Sequence, residues 1–270
     1  MPRDLGDVLH YFLPELEGVP EPTRAGAALL SIPLVGSDLV RAALLWNLAV
    51  EAARQGARVT LLAPRGAECA AWPGAGRGPL GVELVEVAGE EPAELARAAE
   101  LAAAQAGAER LVLVGVPAQW LAKGADAGAL LDWVMALVRP DDREREEGWG
   151  VLEAVASQAP RARLGAAVFG VRSLAEARHT FESLAARSER ELGRELTSYG
   201  VLIDDVQLSR SIVTRRPIAL SQPASSAARA LADVASLWLA DARIPCASGP
   251  PSPGPEAGDP AWAGNPPLGG

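Results

Sequence analysis

Apolar residues along this chain fall into two patterns. Short continuous runs such as Leu111-Val112-Leu113-Val114 have the length and composition of strands buried on both faces. Longer stretches repeat their apolar positions at helical spacing. The runs predict strands over 27–34, 58–63, 82–87, 110–116, 163–170 and 197–203, with the short apolar stretch 217–220 as a further candidate. The periodic stretches predict helices over 39–55, 91–106, 127–138, 149–158, 174–192, 205–214 and 225–241. Strands that alternate with helices indicate an α/β fold, a mostly parallel sheet with helices on both faces. Ser173-Leu174-Ala175-Glu176 is a capping box at the start of one helix. The charged run Asp141–Glu147 reads as a solvated loop or a helix start.

The ends differ from this body. Residues 1–25 carry a helix-period stripe of Leu5, Val8, Leu9, Phe12, Leu13 and Leu16, interrupted by Pro14 and followed by Pro20 and Pro22. A short helix and an extended linker are expected there. Residues 244–270 are rich in Pro, Gly, Ala and Ser and read as a disordered tail. The expected organisation is therefore 1–25, a folded domain over 26–243, and the tail.

Composition narrows the function. At 49% apolar residues the chain can fill a sizeable core, and its net charge of -9 argues against direct contact with nucleic acid. No apolar stretch reaches the ~18 residues needed to cross a bilayer, and the N-terminus lacks the basic start and apolar run of a signal peptide. Cys69 and Cys246 are far apart and fit no disulfide framework or zinc spacing. A cytoplasmic protein without stable membrane insertion is expected. His10 and His179 have no ligand partners at metal spacing. Ser173 and Ser211 lack the context of a hydrolase nucleophile. Trp46, Trp120, Trp133, Trp149 and Trp238 lie in or near predicted helices and read as packing residues, with Trp133, Val134 and Leu137 weighed as an interface stripe.

The segment 26–65 has the layout of a phosphate-binding strand–loop–helix–strand unit. Its turn, Val35-Gly36-Ser37-Asp38, has one glycine, an acidic residue and no lysine. A phosphate-binding turn uses glycines to bring N–H groups close, a lysine to neutralise charge and a hydroxyl to hold magnesium. Gly36, Ser37 and Asp38 stand at a helix N-terminus, where Arg41 and Arg65 would add charge for an anion. Against that, Asp38 repels anions, Ser37 or Asp38 caps the helix, and the arginines point to solvent.

Two blocks resemble the MinD/ParA family of deviant P-loop ATPases, and within it the flagellar-number regulators of the FlhG/FleN type. The first is Asn47-Leu48-Ala49 through Gly56 to Arg58-Val59 and Leu61-Leu62. The second runs from Val171-Arg172-Ser173 through Glu176-Ala177, Phe181, Leu184, Arg190 and Gly193 to Gly200, Ile203-Asp204-Asp205, Ser211-Ile212, Arg216-Pro217 and Pro223-Ala224-Ser225. The resemblance implies a three-layer P-loop NTPase-like fold of the SIMIBI/MinD type. It also shows what is missing. Arg41 falls where the family has its P-loop lysine, Ala42 where it has the magnesium-binding Thr or Ser, and Gly36 where it has the signature lysine. Ala63-Pro64-Arg65 replaces Asp-x-Asp, Gly115 stands near the place of a further Asp, and Phe169-Gly170 replaces Asn-Arg beside the adenine.

Phosphoryl transfer depends on positioning and charge neutralisation. With those groups replaced, the expectation is a vestigial P-loop segment (Gly36, Ser37, Asp38, Arg41, Ala42) with no catalytic residues, no cofactor and no metal. Such a chain acts by binding protein partners in flagellar, polarity or division positioning, as a monomer or a nucleotide-independent dimer. Tyr11, Phe12 and Leu13, a dense cluster in a chain with 4% aromatics, are the candidate docking residues. Folding of that segment back on its own domain is the other expectation. The alternative function is an atypical ATP-binding switch with nucleotide-dependent dimerisation, which would have to find its lysine elsewhere; Lys123 is the sole lysine of the sequence. The last predicted helix carries Arg229, Asp233 and Asp241 and reads as a packed domain helix, not a membrane anchor.

Overall fold

A computed structural model describes residues 27–34, 39–65, 72–89, 91–105, 110–122, 127–203 and 205–244. Tyr11, Phe12, Leu13, Gly36, Ser37, Asp38 and Lys123 lie outside the described residues. The chain runs β1 (Ala28–Leu34), α1 (Leu39–Arg54), β2 (Arg58–Pro64), β3 (Gly76–Arg77), β4 (Glu83–Val87), α2 (Pro92–Ala104), β5 (Arg110–Pro117) and α3 (Ala118–Ala122). It continues with β6 (Trp133–Val138), α4 (Asp142–Gln158), β7 (Arg163–Val171), α5 (Leu174–Leu192), β8 (Thr197–Ile203), α6 (Val206–Thr214), α7 (Ile218–Ser221) and α8 (Ser226–Asp241).

The eight strands form one sheet in the order β3-β4-β2-β5-β1-β6-β7-β8, parallel except for the two-residue β3. Alternate side chains of each central strand enter opposite cores. Leu30, Ile32, Leu113, Met135 and Leu137 pack under α1 and α8, whereas Leu29, Val112, Val114, Val134 and Ala136 pack under α2, α4 and α5. This is the expected α/β fold, a mostly parallel sheet between two helical layers. Helix α8 buries Leu231, Val234, Trp238 and Leu239 against the sheet, as a domain helix does. No helix among the described residues is long and apolar enough to cross a membrane.

Three expectations require correction. The stretch 127–138 is not a helix: a short turn over Gly128–Leu131 leads into β6. Leu, Met and Ala suit a helix, yet every residue of Trp133–Val138 is buried between the two helical layers, and tertiary burial decides the outcome. Trp133, Val134 and Leu137 are thus interior strand residues and form no interface stripe. The stretch 217–220 is not a strand but a helical turn, α7, which begins after Pro217. The charged run is the start of α4, one of the two readings expected for it. Asp141 caps it by accepting the Glu144 N–H at 3.0 Å, and Asp142 and Glu144 favour the positive end of the helix dipole.

Two polar clusters hold helices to this frame. Asn47 of α1 is buried; its side chain donates to the Ala43 carbonyl at 2.8 Å and accepts the Ile218 N–H at 2.7 Å, fixing α7. At the β8 edge of the sheet, the buried Tyr199 hydroxyl accepts from the Trp133 indole at 2.9 Å and donates to Asp241, which also pairs with Arg163 at 2.9 Å. Burial first, and then the neighbouring Asp241 carboxylate, push the Tyr199 hydroxyl far above its ordinary range. The capping box at Ser173 forms, with a small displacement. Ser173 accepts the Glu176 N–H at 3.2 Å, while the Glu176 carboxylate reaches the N–H of Arg172, one residue earlier, at 2.9 Å.

Candidate functional site

In an open parallel sheet, ligands bind at the carboxyl ends of two neighbouring strands whose connections leave in opposite directions. Here those strands are β1, which leads through α1 to β2 on one side, and β6, which leads through α4 to β7 on the other. The crevice should open beyond Leu34 and Val138. The first turns of α1 and α4 flank it, and Arg41 and Ala42 lie in the first of these.

Arg41 is the most informative of these. It lies in the first turns of α1 and is 2% exposed. Its Nε donates to the Leu137 carbonyl at the end of β6 at 3.1 Å. Its Nη2 donates to the Glu144 carboxylate on α4. The guanidinium carbon stands 5.1 Å from the centre of the Phe169 ring, whose other approach is taken by Arg139 at 4.9 Å. The expectation that Arg41 is solvated is therefore corrected. A guanidinium this buried needs acceptors, and β6 and α4 supply them. Arg65 is exposed, as expected.

The residue aligned with the magnesium-binding hydroxyl is Ala42, whose side chain is buried in the core. Its carbonyl accepts a hydrogen bond from the indole Nε1 of Trp72 at 2.6 Å. Trp72 is 5% exposed, and it also covers Gly115. A Cβ added to Gly115 would lie 3.0 Å from Leu34, 3.3 Å from Leu45 and 3.3 Å from the Trp72 ring. A carboxylate at Gly115 would thus enter an apolar wall, where an unpaired charge is costly. The segment aligned with Asp-x-Asp contributes Ala63 and Pro64, both buried in β2.

These residues do not fit a magnesium-bound nucleotide. Among the described residues of the crevice there is no lysine, no hydroxyl at the Ala42 position and no carboxylate at the Gly115 position. Arg41, the nearest cation, is committed to Glu144 and Leu137. No group of three or more His, Cys, Asp or Glu side chains able to hold a metal occurs among the described residues. Sequence reasoning missed two members of this arrangement. Glu144 lies in a run read as a solvated loop or a helix start, and Trp72 lies in a Gly/Pro-rich connection between strands. A signal existed for each: a lone arginine inside the apolar run Leu39–Trp46 calls for a buried carboxylate, and a tryptophan in a loop usually packs inward.

No protein-family model and no curated protein matches the chain. Solved structures do. The cell division protein MinD of Aquifex aeolicus is 17% identical, with a TM-score of 0.60 over 79% of this chain and 97% of that one. MinD in the MinC:MinD complex of the same organism is 17% identical, with a TM-score of 0.59 over 79% and 96%. A ParA family ATPase of Chlorobium tepidum is 11% identical, with a TM-score of 0.58 over 78% and 98%. The order of strands, the layers and the extent of these matches give the chain the P-loop NTPase-like fold of the MinD and ParA ATPases.

Proposed function

We propose that this chain is a MinD/ParA-like pseudo-ATPase, a cytoplasmic module that acts through protein partners and not through ATP turnover. One observation carries the proposal: the arginine aligned with the P-loop lysine is buried, paired with Glu144 and bonded to the end of β6. Trp72 supports it by occupying the wall where magnesium ligands would be needed. A cation already satisfied by its own chain has little left for phosphate, since ligand binding would first have to break a buried pair. Partner binding fits the neighbour solved as a MinC:MinD complex, whose scaffold engages another protein. Tyr11, Phe12 and Leu13 are the candidate docking residues. A flagellar regulator of the FlhG/FleN type, or another positioning protein, is the family role proposed for it. Without a nucleotide between subunits, it would be a monomer or a dimer held by apolar surface.

Thermal unfolding with and without millimolar ATP and magnesium tests the proposal. A ligand at a hundred times its Kd adds about 2.7 kcal/mol. For a domain of this size that raises the midpoint by roughly 5–10 °C. The expected result is no shift and no hydrolysis. A reproducible rise would reject the proposal in favour of an atypical ATP-binding switch.

A further inference from the structure

Four of the eight large hydrophobic side chains left exposed by the described residues, Ile203, Val206, Val213 and Leu220, fall within one short stretch. Helix α6 turns Leu208, Ser211 and Ile212 inward, against the core and α1. Its opposite face carries Val206, Arg210 and Val213, one above the other at helical spacing, with Val206 74% and Val213 83% exposed. The face is also basic. Residues 206–223 contain Arg210, Arg215 and Arg216 and no acidic residue. None of these arginines pairs with a carboxylate among the described residues. Asp205 caps the start of the stripe, while unpaired arginines stand along and beyond its C-terminal half, a surface that matches an acidic, amphipathic helix-forming segment.

The chain contains such a segment. Residues 4–13 repeat Leu5, Leu9 and Phe12 at helical spacing with Asp4 and Asp7 among them, and Glu15 and Glu17 follow Pro14. Residues 18–26 then join this segment to β1 and can span up to about 30 Å. The seven residues of β1 rise only about 23 Å from the start of the sheet to its carboxyl edge. Helix α6 lies within that height, since Ser211 meets Asn47 in the middle of α1. We propose that residues 4–17 dock on the Val206–Arg210–Val213 face of α6. The chain then covers its own basic, apolar surface until a partner displaces the segment. A tether this short holds the segment at millimolar effective concentration, so a weak contact suffices to keep the face covered.

Hydrogen exchange of the full chain tests the docking in both directions. In a Leu9→Glu/Phe12→Glu variant, the amides of 206–214 should exchange roughly fivefold faster than in the parent, while β5 and β6 stay unchanged. In a Val213→Glu variant, whose substitution lies on an exposed position, the amides of 4–17 should accelerate similarly. Unchanged exchange at 206–214 in the first variant overturns the proposal. So does protection of 206–214 that falls away on dilution of the parent, because a second copy would then be the cover. Neither readout depends on whether ATP binds, so this result and the ATP titration stand or fall separately.

Discussion

Arg41 and Glu144 differ in burial, and that difference sets a quantitative expectation. The Arg41 side chain is 3% exposed and that of Glu144 is 27% exposed. Glu144→Ala removes the carboxylate partner of a buried guanidinium, whose other contacts include the Leu137 carbonyl and the Phe169 face. Breaking a buried pair from one side costs 3–5 kcal/mol, and the partial solvation of Glu144 places this case near about 3 kcal/mol. Arg41→Met is milder. It keeps most of the side-chain volume, frees a carboxylate that water already reaches, and leaves one carbonyl without a donor, for about 1.5 kcal/mol. Independent effects would sum to about 4.5 kcal/mol in the double variant. Because the second substitution removes the group stranded by the first, the double variant should lose only about 2 kcal/mol, a coupling of about 2.5 kcal/mol. Urea unfolding with a constant slope measures all three. The coupling should persist as salt rises, because a pair this buried is weakly screened. A Glu144→Ala loss below about 0.5 kcal/mol, or simple additivity, would refute the buried-pair assignment.

Three further outcomes follow from the same geometry. Trp72→Ala should cost about 3 kcal/mol in urea unfolding, and Trp72→Phe, which loses mainly the indole bond to the Ala42 carbonyl, about 1 kcal/mol. Asn47→Ala should cost about 2 kcal/mol because the buried Ile218 N–H loses its acceptor; Asn47→Asp should do no better, since it adds a buried charge. Asp205 caps α6 by accepting the Gln207 N–H at 2.8 Å, and chiefly that bond holds its carboxyl below the ordinary range. A depressed folded value gives stability that is complete above the unfolded pKa near 3.9 and is lost as pH falls through the lower folded value. Asp205→Ala should therefore cost a constant increment, about 1 kcal/mol, across pH 5–8, and its unfolding curve should begin to approach the parent's near about pH 4 and meet it only below the lower folded value.

The frame was legible because it is built from unambiguous signals. Ala28–Leu34 and Arg110–Pro117 are apolar runs too short for helices, and they sit side by side in the centre of the sheet. Helix α5 announces itself through Ser173 and Glu176 at one end and Gly193, in the left-handed conformation with φ 61°, at the other. Trp133–Val138 misled because a strand buried on both faces shows no alternation, and Leu, Met and Ala then vote for helix. The crevice was legible only as a set of replacements. The family resemblance puts Arg41 where a lysine is expected, but nothing local says where a long side chain turns. Its acceptors come from β6 and α4, about a hundred residues away, and a long-range pair of this kind leaves no periodic trace.

The residues at this point also hold the two halves of the domain together. At a topological switch the connections diverge, and the sheet's two halves have little covalent reason to stay aligned at its carboxyl edge. Here three side chains close that gap from three different elements. Arg41 reaches from α1 to the end of β6 and to α4; Phe169 reaches in from β7 beneath it; and Trp72, from the connection after β2, seals Ala42 and Gly115. The β1–α1 half is thereby tied to the β6–α4 half by an ion pair, a backbone bond and a cation–aromatic contact in a low-dielectric setting, where each is strengthened by the others' exclusion of water. An Arg-to-Lys exchange at position 41 would keep the charge but lose the fork that serves Leu137 and Glu144 together. The guanidinium is therefore suited to bracing the two halves, a task for which a lysine poised to meet a phosphate is poorly shaped.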